Sequence, residues 1–125
     1  VLFSGFAWLV VGLVLLALGS LDLLPLAPAR HALTVGGIGV VTLGMMARVA
    51  LGHTGRPMQP PRLVEWAFVA VNLAAALRVF GPMVDPARLP VWLDASGGLW
   101  LASFLAFLYY YAPILLSPRA DGQPG

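Results

Sequence analysis

The chain has 125 residues, of which 60% are hydrophobic and only 10% charged, and its mean hydropathy is +0.90. A water-soluble domain carries about a quarter Asp, Glu, Lys and Arg, so this composition all but excludes a soluble enzyme and predicts a membrane protein. The 7 basic and 5 acidic residues leave a net charge of +2, and the bases are arginines scattered singly, which is no footprint for nucleic acid.

A bilayer core ~30 Å thick asks for roughly 20 predominantly apolar residues per helical crossing, and charge spacing then divides the chain into four predicted spans. The first, residues 2–24, has no ionisable side chain before Asp22. The second, residues 32–52, is bounded by Arg30 and His31, with Arg48 one turn inside its other end, where the stem can snorkel toward headgroups. The third, residues 63–80, is charge-free only from Trp66 to Leu77 and holds Asn72 near its middle. The fourth, residues 92–116, is uncharged after Asp94 and ends in Tyr109, Tyr110 and Tyr111, the pattern of an interfacial aromatic belt. Residues 117–125 read as a polar tail of the kind that is usually disordered. Proline- and glycine-rich joints separate the spans.

Short joints make sequential helices antiparallel neighbours. The expected fold class is therefore an all-α membrane protein, an antiparallel bundle of four transmembrane helices. Because the chain opens on Val1 in apolar sequence with no basic leader, it is read as a fragment of a larger polytopic protein rather than as a signal peptide and its cargo. Arg48, His53, Arg56, Arg62 and Arg119 fall to one membrane face and Arg30, Arg78 and Arg88 to the other. By the positive-inside rule the first face is cytoplasmic.

Chemistry concentrates in the second span. At ~100° per residue, His31, Val35, Ile38, Thr42, Met45, Met46, Val49 and His53 form one stripe, with its two histidines ~33 Å apart along the axis. They cannot share a metal, and a haem held by two imidazoles needs at least one histidine from outside the chain. With no cysteine, ligands must come from His, Met or oxygen. His53 lies near Arg48, Arg56 and Arg62 in sequence, with Met58 five residues on. That set suits either a haem whose propionates pair with arginine or copper held by imidazole and thioether. The blander reading is a loop whose arginines set topology. Met45 and Met46 are expected to fill packing gaps, and packing is also the default reading of Asn72, which could in addition hydrogen-bond across helices. No pair of carboxylates, nucleophilic constellation or phosphate-cradling glycine loop is present.

The run HALTVGGIGVVTLGMMARVALGHTGRP closely resembles the signature helix of the NnrS family of bacterial polytopic membrane proteins. AWLVVGLVLLAL, VNLAAALRVF and YYYAPILLSPRADGQPG resemble its flanking helices and C-terminus. The resemblance covers essentially the whole chain and about the last third of a family member, which has about a dozen spans. It implies a multi-pass protein of the bacterial inner membrane that contains haem and copper, accompanies denitrification and protects against nitric oxide and nitrosative stress. It also implies His31 and His53 as metal ligands, with Arg48 and Arg56 as matching cofactor-binding positions. The implied partners are the lipid bilayer, the remaining helices of the parent protein and nitric oxide. Two other readings stand beside it: a structural or transport bundle without its own cofactor, and an enzyme that reduces nitric oxide. The enzyme ranks last, because these spans contain no acidic proton relay.

Overall fold

The computed structural model describes residues 2–122. Its four long helices are each apolar enough to cross a membrane. We label them α1 (Leu2–Ser20), α2 (Leu26–His53), α3 (Arg62–Val84) and α4 (Leu89–Leu115). No strand occurs among the described residues.

The helix ends differ from the charge-derived limits, each for a local reason. α1 stops at Ser20 because the amides of Asp22 and Leu23 bond back to the carbonyls of Gly19 (3.2 Å) and Leu18 (3.1 Å). This is a Schellman end, with Asp22 in the left-handed position (φ 57°) that glycine usually fills. α2 begins at Leu26, directly after Pro25, and Pro28 sits in its first turn, where an amide has no intrahelical acceptor. Arg30 and His31 therefore lie inside the helix rather than ahead of it. α3 starts after Pro61, whose carbonyl accepts from the amides of Val64 (2.9 Å) and Glu65 (3.1 Å). It runs beyond Phe80 through Arg78 and Pro82 to Val84. A short 3-10 turn, Pro86–Arg88, closed by an Arg88–Asp85 ion pair of 3.2 Å, leads into α4.

α2 is not uniform. Ala32–Gly39 winds as a π-helix between two α-helical stretches, and the Thr34 hydroxyl donates to the Arg30 carbonyl at the start of that stretch (2.8 Å). Wider winding changes the angular step per residue, so the stripe drawn at a constant 100° is broken. Ile38, Met45, Val49 and His53 stay on an outward, exposed face, whereas His31 and Val35 turn to half-buried positions.

α1 lies on α2 through glycines at seven-residue spacing. A Cβ on Gly5, Gly12 or Gly19 would come within 2.3, 2.5 or 2.6 Å of Val41, Leu33 or Leu26 respectively. From the other side, Gly36 and Gly37 admit Trp8 and Leu9. In lipid, where no hydrophobic effect drives helices together, such close approach supplies the dispersion contact that does. The Trp8 indole crosses to α3, donating to Asn72 Oδ1 (3.1 Å), while Asn72 Nδ2 donates to the Phe68 carbonyl (2.8 Å). Asn72 thus makes a cross-helix bond beyond the packing role that is its default reading.

The main core joins α2, α3 and α4 around Leu43, Ala47, Val64, Val71, Phe107 and Tyr111. This corrects the aromatic-belt expectation. Tyr109 is 78% exposed, but Tyr111 is fully buried, stacked on Phe107 at 4.6 Å with Tyr110 edge-on at 5.0 Å. One helical turn spreads three consecutive tyrosines over three directions. The tail is corrected as well. The Ala120 amide donates to the Thr54 carbonyl (3.0 Å), and Arg56 donates to Ser117 Oγ (3.2 Å). Its described part is thus pinned to the α2–α3 joint. Residues 123–125 of that tail lie outside the described residues.

Candidate functional site

The α2–α3 joint positions the richest group of side chains. α2 ends in a second Schellman motif: the amides of Gly55 and Arg56 bond to the carbonyls of Gly52 (3.3 Å) and Leu51 (3.0 Å). Gly55 takes the left-handed φ of 66°. The buried Thr54 hydroxyl bonds to the Ala50 carbonyl (2.7 Å), which fixes the last turn further. His53 is consequently the final helical residue, exposed at the rim, and the chain doubles back to carry Met58 beside it.

His53, Met58, Met45, Arg48 and Arg119 line one open cleft of about 320 Å³. A neighbouring cleft of about 390 Å³ shares Arg48 and Met58 and has a largely apolar wall that includes Phe3, Leu51 and Phe68. Arg119 is engaged by Asp121 through two contacts of 2.9 and 2.5 Å, and hydrogen bonding to that carboxylate raises its pKa above the ordinary value. No ion pair involves Arg48 among the described residues. Arg56 hydrogen-bonds to Ser117 and lines neither cleft.

Met45 departs from its expected packing role. It is 41% exposed on the wall beside His53, while its neighbour Met46 packs against the core. Adjacent helical positions point about 100° apart, so the two methionines cannot share one role.

His31 sits at the opposite end of α2, in a separate cleft of about 250 Å³ shared with Arg78 and Pro82. The two histidines are not brought together. Among the described residues no three of His, Asp or Glu gather as a metal cluster, so any metal here relies on thioether ligands or on groups from elsewhere. On the sequence alone, Arg78 has a part only in the charge count of one membrane face. Its signal was available, because it is the charge that ends the apolar stretch of the third span yet remains inside the helix.

The family model described as NnrS protein matches residues 1–119, nearly the whole chain. The chain belongs to the NnrS family. Membership makes it, in general terms, a nitric-oxide-related membrane protein, and its four long apolar helices accord with association with a lipid bilayer. No curated protein and no solved structure matches the sequence. Within this NnrS chain, the signature helix quoted above is α2, which carries both histidines and Arg48.

Proposed function

We propose that this NnrS chain is a cofactor-bearing module of the bacterial inner membrane that takes part in the response to nitric oxide and in protection against nitrosative stress during denitrification. The observation that supports this reading most is the convergence of one imidazole and two thioethers, His53, Met58 and Met45, on a cleft that also holds the guanidinium of Arg48, which makes no ion pair among the described residues. Imidazole and thioether suit Cu(I), and His53 with Arg48 nearby would suit a haem by offering an imidazole to its iron and a cation to a propionate. When bound, either group supplies a coordination position for nitric oxide.

The residues of this chain then have separable tasks. His53 would lend a ring nitrogen, Arg48 would offset anionic charge, and Arg56 ties the loop to the tail, beside which Met58 lies. His31 offers one nitrogen to a second, distant metal or haem. Both sites take their remaining ligands from outside the described residues, in keeping with further helices of a larger protein.

The test is haem and copper analysis of the full-length protein carrying His53→Ala or His31→Ala. Reduced haem or copper per protein, with membrane insertion unchanged, is the expected result. Met58→Leu should lower copper and spare haem if the thioether is a copper ligand. Undiminished haem and copper in both histidine variants would overturn the ligand assignment and favour a structural or transport bundle.

A further inference from the structure

Arg78 lies six residues before the end of α3, ~9 Å inside the helix terminus at 1.5 Å per residue. From there the long arginine stem carries the guanidinium toward headgroup level, and Arg78 makes no ion pair among the described residues. Asp85 is held by Arg88, and Asp94, one turn into α4, forms no salt bridge to Arg78.

Arg78 instead borders two contiguous hollows. Toward the membrane surface is the cleft with His31, Pro28 and Pro82. Toward the bilayer centre, a groove of about 300 Å³ runs along α4 past Val35, Leu93, Ser96, Gly97 and Trp100. Gly97 has no atom within 4 Å of where its Cβ would stand, so unlike the glycines of α1 it packs against nothing and simply hollows the helix surface. A cation near headgroup depth, with an uncharged trough leading inward from it, matches an amphiphile with an anionic head and a chain tail.

We propose that this groove binds a phospholipid, with the phosphate on Arg78 and an acyl chain lying along Ser96, Gly97 and Trp100. Charge complementarity selects this occupant over a neutral helix, because only an anionic group neutralises Arg78. The groove uses neither His53 nor a metal, and only its outer end, at Arg78, opens on the cleft of His31.

The test measures phosphatidylglycerol retained by the purified full-length protein, by native mass spectrometry and phosphorus analysis. Arg78→Gln should reduce retention about tenfold, the weight of one charge-assisted contact. Gly97→Phe should do the same by filling the trough, with helicity by circular dichroism and haem and copper content unchanged. A neutral diacylglycerol of the same chains should bind weakly, and inorganic phosphate should not displace the lipid. Three results would each overturn the proposal: full retention in both variants, displacement by inorganic phosphate, or a Gly97→Cys variant that cross-links to a second copy.

Discussion

Single residues in this bundle divide by whether their polar atoms find partners. Asn72 satisfies both ends of its amide, with Trp8 across the interface and Phe68 along its own helix. Such a bond in a membrane contributes about 0.6 kcal/mol, rising to about 2 at most. Tyr111 is the opposite case: its hydroxyl is buried with no partner among the described residues. A buried unsatisfied hydroxyl costs about 1–3 kcal/mol, while the ring keeps its stacking on Phe107 whether or not the oxygen is there. Tyr111→Phe should therefore raise stability by about 1 kcal/mol in reversible unfolding from detergent micelles. A loss of similar size would mean that the hydroxyl has a partner in the intact protein. Arg48 and Arg119 show that proximity does not make arginines equivalent, since Asp121 already occupies the second.

At the scale of elements, glycine plays opposite parts in α1 and α4. On α1, Gly12 is buried against Leu33, with room for no side chain. On α4, Gly97 and Gly98 face open space. Gly12→Val should destabilise the α1–α2 pair by about 1–3 kcal/mol, the ordinary cost of overpacking, whereas Gly97→Ala should stay within about 0.5 kcal/mol of the parent. Equal effects of the two substitutions in the same unfolding assay would contradict this division. The π stretch of α2 matters in the same way. It meets α1 through Gly36 and Gly37 and directs His31 and Val35 toward the hollows that Arg78 borders. A uniform α-helix would have kept His31 and Val35 in angular step with Ile38, Val49 and His53.

For the whole molecule, the bond from Ala120 to Thr54 and that from Arg56 to Ser117 bring the α2–α3 joint and the tail to one end of the bundle. The joint between α1 and α2 lies at the other. Arg48, Arg56, Arg62 and Arg119 stand at the first end, and Arg30, Arg78 and Arg88 at the second, so the proposed reading, with the positive-inside rule, predicts a cytoplasmic His53 cleft. In a background without other accessible cysteines, Gln59→Cys should react only after the inner membrane is opened. Leu23→Cys should react with an impermeant reagent from the periplasm. The reverse labelling pattern would invert the topology and place the His53 cleft outside. Large apolar side chains such as Phe3, Phe6 and Val10 on α1 remain exposed in the bundle, as expected of a surface that lipid or protein can cover equally well.

The sequence alone determined the solvent, the number of crossings and the family. The first two follow from the length of uncharged runs, which a bilayer reads directly, and the third from the quoted motifs. Separation of the histidines was legible too, because 22 residues of helix keep them apart under either winding. Tertiary structure decided what spacing could not: that Met45 joins His53 and Met58, that Tyr111 turns inward, that the described part of the tail is pinned, and that Arg78 stands in a hollow. These depend on contacts between segments far apart in the chain and on a local change of helical pitch. An angular projection at constant step contains neither.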